Sequence, residues 1–181
     1  MAHITSRIEY GIHCLLWLAS SGETPLSSRD LAELQGVSPS FLAKIFPKLE
    51  KAGIVSAQDG VRGGYRLARP MKEITFLDIV DAIEGHKPLF DCQEIRERCA
   101  LFEGVPPKWA TQDVCSIHAV ILKAEQAMRD ELASHSLADI SQTVTCKAPN
   151  EFPSQIQEWI AHRVKSRKPG RPLKPPDPIS S

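Results

Sequence analysis

Hydrophobic positions keep a helical beat through most of this chain and leave it in two places. Between residues 5 and 20, Ile8, Ile12, Leu15, Leu16 and Ala19 recur at spacings of three and four, which predicts an α-helix. Trp17 and Leu18 widen its apolar face, so the helix is buried on most sides, and Gly22 stops it. A short helix over 27–36 follows, opened by a capping Ser and closed by Gly36, with Leu31 and Leu34 on its apolar face. The stretch 37–54 predicts a third helix, with Ser38 as N-cap and Pro39 at the first helical position, where a missing N–H costs nothing. Phe41, Leu42, Ile45, Leu49 and Ala52 make its buried stripe, Pro47 should bend or loosen it, and Gly53 ends it.

The beat first breaks at 55–68, where two short β-prone runs flank a Gly-rich turn, a β-hairpin pattern. Two short helices joined by a tight turn and followed by a hairpin describe a winged helix-turn-helix. A helix over 75–84 follows, with Leu77, Ile79, Val80 and Ile83 facing inward. The second break is longer. Residues 85–114 carry no period but hold Cys92, Cys99 and the pair Pro106 and Pro107, and an aperiodic stretch of that length is functional or disordered. A long helix runs from about 116 to 134 on Ile117, Val120, Ile121, Ala124, Met128 and Leu132, then one or two turns over 137–144 and a helical piece over 154–165. The last segment, SRKPGRPLKPPDPISS, is basic, Pro-rich and without period, and reads as disordered.

The fold class is therefore mostly α with a small β-wing. It divides into a winged helix-turn-helix over 1–84, a loop over 85–115, a long helix region over 116–146 and an extension over 147–181.

Composition narrows the function. With 181 residues, 42% apolar and 24% charged, the chain can bury a real core. Its longest nearly apolar stretch, 11–19, is too short to span a membrane, and no signal-like cleavage pattern follows it, so a cytoplasmic protein with no membrane partner is expected. Five cysteines are an odd count suited to a reducing compartment, where thiols bind metals or stay free.

The formal net charge of zero is a sum of unlike parts. Residues 1–70 carry +2, residues 71–159 carry −7 and residues 160–181 carry +5. Basic ends around an acidic middle fit a protein that touches phosphate with its ends, and equally an ordinary domain with a solvated tail.

Helix-turn-helix modules lay the start of the second helix in the major groove. Here that start offers Ser38, Ser40 and Lys44, with Lys48 a turn further, and the wing offers Arg62 for a minor groove. A winged helix used for protein contacts is the other reading. Cys92, Cys99 and Cys115 lie in or beside the aperiodic loop, and Cys115 precedes a helix start, where the dipole favours thiolate. Glu9 and His13, four residues apart, share one face of an otherwise apolar helix and need partners if buried. In the tail, Lys168-Pro-Gly-Arg-Pro172 resembles an AT-hook, whose Gly-Arg-Pro core would lay Arg171 in an A·T-rich minor groove; a merely solvated basic tail is the plainer reading. No nucleotide loop, catalytic dyad or substrate-pocket motif is visible, so neither an enzyme nor a small-molecule substrate is expected.

The run from LAELQGVSPSFLAKIF to GGYRLARP and ITFLDIVDAIEG resembles the bacterial Rrf2 family of transcriptional regulators, over residues 1 to about 145. The resemblance implies a homodimeric winged-helix regulator on double-stranded DNA, paired through the long C-terminal helix, with an iron–sulfur cluster in the preceding loop in many members. Family wings commonly read Gly-Pro-Gly-Gly-Gly after a basic residue; this chain has Asp59-Gly-Val-Arg-Gly-Gly64, which moves the basic residue to Arg62. The common cysteine spacing is stretched too, to gaps of six and fifteen residues.

Two ligand sets follow from the resemblance. In the branch typified by the RsrR regulator, a Glu and a His on the first helix join two loop cysteines on a 2Fe–2S cluster, which maps to Glu9, His13, Cys92 and Cys115. In the IscR type the set would be Cys92, Cys99 and Cys115 with His118. Imidazole in place of thiolate raises a cluster's reduction potential. The expectation is a regulator switched by the redox state or integrity of a 2Fe–2S cluster. A cluster-free regulator controlled by a protein partner or thiol oxidation is the alternative, and an iron–sulfur electron carrier is disfavoured because it leaves the winged helix without purpose. Cys14 reads as a small core residue, and Cys146 is assigned no role.

Overall fold

The computed structural model describes residues 4–60 and 63–167. Helix α1 spans Ser6–Ser20, α2 Ser28–Gln35 and α3 Pro39–Lys51; the wing strands are β1, Val55–Gln58, and β2, Gly64–Leu67. Helix α4 spans Phe76–Glu84, α5 Lys108–Thr111, α6 Ser116–Ser134, α7 Leu137–Lys147 and α8 Phe152–Ser166. This is the mostly helical, winged architecture that the pattern predicts.

Local chemistry fixes the helix-turn-helix. Ser27 and Asp30 form a reciprocal capping box at the start of α2, and Gly36 closes that helix with φ 71°, in the left-handed region that glycine reaches without a Cβ penalty. Pro39 starts α3, which continues through Pro47 to Lys51. Its buried side chains are Leu42, Ile45, Phe46 and Leu49. Ala52 lies outside the stripe, exposed at the helix end, and Phe46 fills the place instead, 4.7 Å centroid to centroid from Tyr65 of the wing.

The wing pairs antiparallel, with Val55 opposite Leu67 and Gln58 opposite Gly64. Leu26 extends it by exchanging two backbone bonds with Tyr65, at 3.1 and 2.8 Å. A Cβ at residue 64 would stand 2.5 Å from the Leu26 carbonyl carbon, so only glycine allows that approach.

One core joins the elements. Leu15 and Leu18 of α1, Leu31 of α2, the α3 stripe and Ile79 and Ile83 of α4 are fully buried or nearly so, together with Leu137 of α7 and Ile156 and Ile160 of α8. The segment before α7 is stitched to the segment before α4 by Phe76 N–H to His135 O, 2.9 Å, and Leu137 N–H to Ile74 O, 2.8 Å. The extension is therefore packed into the core of the winged unit. Among the described residues, no helix is long and apolar enough to cross a membrane.

Candidate nucleic-acid interface and metal centre

The outward side of α3 carries the polar residues expected at its start. Ser38, Ser40 and Lys44 are all exposed, and the two serine hydroxyls lie 2.8 Å apart. Lys48 behaves differently: its ammonium donates to the Ile83 carbonyl at the end of α4, which ties α3 to α4. Lys51, exposed at the end of α3, extends the basic face and went unnoticed because it sits beyond the first turns of the helix. Arg62 and Arg171 lie outside the described residues.

The stretch 85–115 is partly ordered into short turns at Ile95–Arg98 and Ala100–Phe102 and the single turn of α5. It is moored to α6 by Leu89 N–H on the Glu125 carboxylate, 3.1 Å, and closed on itself by Arg96, which binds Glu94 at 2.8 Å and the Asp113 carbonyl. The result brings Cys92, Glu94 and His118 together, with ligand atoms within 4.8 Å of one another and all three half-buried. Glu94 has a left-handed backbone, φ 46°, and accepts from the Cys92 thiol at 3.6 Å. The Arg96 hydrogen bond holds its carboxyl below the usual range against its partial burial, helped by the Arg96 charge, the Cys92 contact and His118. Phe90 packs edge-on against His118 at 5.8 Å.

A thiol, a carboxylate and an imidazole converging in one half-buried place form a donor set that can hold a transition metal such as iron or zinc. Cys115 is half-buried at the N-cap of α6, three residues before His118, while Cys99 is exposed. Glu94 is the residue that sequence reasoning missed. Its only signal was its place two residues from Cys92 in an aperiodic run.

Glu9 and His13 do not join this group within the chain, and both are exposed. The premise that burial forces them to find partners therefore fails: the apolar side of α1 faces inward and these two face outward. Cys14 is fully buried, and burial pushes its thiol up to about 12, so it stays protonated as a core residue. All five cysteines are free thiols.

The Rrf2 family model, an iron-dependent transcriptional regulator, matches residues 4–143. The chain belongs to the Rrf2 family. It is 34% identical over 138 residues to protein rrf2 of Nitratidesulfovibrio vulgaris, covering 76% of this chain and 85% of that relative. Among solved structures it resembles CymR, the global cysteine regulator of B. subtilis, with a TM-score of 0.60 at 23% identity, over 79% of this chain and 98% of that one. It also resembles IscR of T. potens, with a TM-score of 0.59 at 24% identity, over 83% of this chain and 94% of that one. Likeness at that identity shows the shared fold. The Rrf2 match ends at residue 143, inside α7, so α8 lies beyond it.

Proposed function

We propose that this Rrf2 regulator binds double-stranded DNA as a homodimer and is switched by an iron–sulfur cluster seated where the 85–115 loop meets α6. The observation that carries the reading is the convergence of Cys92 and His118 across 26 positions of chain, with Glu94 beside them. Ser38, Ser40 and Lys44 face the duplex, and Arg62 supplies the wing contact. When bound, a 2Fe–2S cluster supplies a one-electron redox change.

The chain's own residues would carry that change outward. Leu89 N–H on the Glu125 carboxylate holds the loop to α6, and Arg129 of α6 binds Asp81 of α4 through both carboxylate oxygens, at 3.1 and 2.8 Å. Lys48 then links α4 to α3. The path from loop to recognition helix is thus a sequence of direct contacts.

His118 completes the ligand set within one chain. The exposure of Glu9 and His13 favours a second arrangement, in which they reach the loop of the other chain. Homodimer formation is supported by α6, which has no buried residue and leaves Ile117 69% and Val120 68% exposed.

The test is anaerobic purification followed by visible spectra before and after dithionite, with operator binding measured in both states. A colourless, iron-free protein overturns the cluster and leaves the thiol-controlled reading. If the cluster is present, His118→Ala alters the spectrum under the one-chain arrangement, whereas Glu9→Ala or His13→Ala does so under the two-chain arrangement.

A further inference from the structure

Helix α8 ends beside the wing, held there by a carboxylate that the winged unit keeps buried. Asp30, 3% exposed, is the third residue of α2 and accepts from the Ser27 amide at 2.9 Å. Arg163 of α8 donates to its Oδ1 at 3.1 Å and also binds Glu33. Gln157 donates to the Ser20 carbonyl at the end of α1, and Ile156 and Ile160 are buried in the core. Burial alone would raise the Asp30 carboxyl, but the Ser27 bonds, the Arg167 charge and Arg163 outweigh it and hold it below the ordinary range.

Arg167, the residue after α8, uses its guanidinium in three directions. Nη2 donates to Asp30 Oδ2 at 2.6 Å and to the Pro25 carbonyl at 3.0 Å, and Nη1 donates to the Gly63 carbonyl at 3.1 Å. Its side chain is 12% exposed, so water competes little for these bonds. Gly63 closes the wing turn, because its amide donates to the Gly60 carbonyl at 2.9 Å. Gly64 and Tyr65 then open β2, and Tyr65 pairs with Leu26. Leu26 therefore holds the wing at the start of β2, whereas Arg167 holds its turn. A guanidinium suits this task because its planar fork fixes the directions of its donors, and an ammonium does not. The family match ends at residue 143, so this arginine comes from chain outside it.

We propose that Arg167 is a positioning residue for DNA binding, fixing the wing turn against the start of α2 and so setting where the wing stands relative to the recognition helix α3. This role rests on the DNA-binding reading above. Asp30 is the anchor: α2 and α3 are joined at Gly36, so a wing turn tied to Asp30 is tied to the helix-turn-helix itself. The Arg167 charge is committed to that acid. Arg167 therefore acts on a duplex through the placement of the wing and not by neutralising a phosphate.

The test begins with a duplex selected by the native chain from a random-sequence pool. Arg167→Ala should weaken binding to that duplex at least about fivefold and leave the slope of log affinity against log salt unchanged. Arg167→Lys keeps the charge but not the fork, and should stay within about twofold of Arg167→Ala. Arg163→Ala loosens the same carboxylate without touching the wing, and should stay within about twofold of the native chain. In the free protein, Arg167→Ala should speed hydrogen exchange at the Gly63 and Tyr65 amides at least about tenfold, with the Ile45 and Leu49 amides of α3 still protected. Native affinity in Arg167→Ala overturns the positioning role, as does an equal loss in Arg163→Ala. A salt slope lowered by about 1 overturns it too, because it marks a direct phosphate contact. Unchanged wing exchange overturns it while upholding the DNA-binding reading. Recovery of no duplex by the native chain overturns both.

Discussion

Helices α3 and α6 differ in what holds them. Helix α3 has 13 residues and buries four large apolar side chains against its own chain. At roughly 1.5–3 kcal/mol for each buried side chain, that face alone anchors it. Helix α6 has 19 residues and buries none. Ile121, Met128 and Leu132 lean half-buried toward α4, while Ile117, Val120 and Ala124 are open to solvent. The predicted single stripe of α6 is really two faces, one for the chain itself and one for something else. Helix α3 is thus fully packed within one chain, whereas α6 leaves an apolar face that its own chain does not cover.

The sharpest way to break that contrast is at the α3 core. Phe46→Ala should cost about 3–5 kcal/mol by chemical denaturation, because the cavity would open between α3 and the wing. A loss below about 1 kcal/mol would mean that the head is not packed as described. Asp30→Ala comes next, at about 3 kcal/mol, because it takes a buried carboxylate from both Arg163 and Arg167 and breaks the capping box with Ser27. Its pH dependence has a definite sign. The folded carboxyl titrates below its unfolded value of about 3.9, so its contribution is present above that pH and is lost as pH falls further. Melting curves between pH 2 and 6 should therefore converge for the two proteins at the acid end, and parallel curves would refute the pairing.

On the α6 side, Ile117→Glu combined with Val120→Glu should change the stability of a single chain by less than about 0.5 kcal/mol. Light scattering should nonetheless show the particle mass halved. An unchanged mass would place the dimer contact elsewhere. The smallest effects separate two lysines one turn apart. Lys44→Ala should reduce the salt slope of DNA binding by about 1, while Lys48→Ala should leave that slope unchanged, since its ammonium is committed to α4.

The sequence made the reading head legible because its signals are local. Ser27, Gly36, Ser38 and Pro39 mark helix ends within a few residues of themselves, and the Gly-rich turn marks the wing. Periodicity points to Ala52 rather than Phe46 because it does not say where a helix frays into its C-terminal turn. The candidate metal centre was half legible: Cys92, Cys115 and His118 carry chemistry in their names, but Glu94 becomes relevant only once the loop turns back on itself through Arg96. The clamp on Asp30 was invisible for the same reason, since its partners lie 133 and 137 positions away. Arginines in a basic tail look like solvated charge until a buried acid is seen to receive them.

Asp30 also ties two distant parts of this chain together physically. It serves the α2 cap and the α8 arginines with one carboxylate, so a lineage that sheds α8 would leave a buried anion without its cations. Shorter family members should then either carry a neutral residue at the position of Asp30 or open it to water, and members that keep α8 should exchange residue 30 in step with residues 163 and 167. The extension would persist through descent as a paired trait with the helix-turn-helix, gained or lost only along with a change inside it.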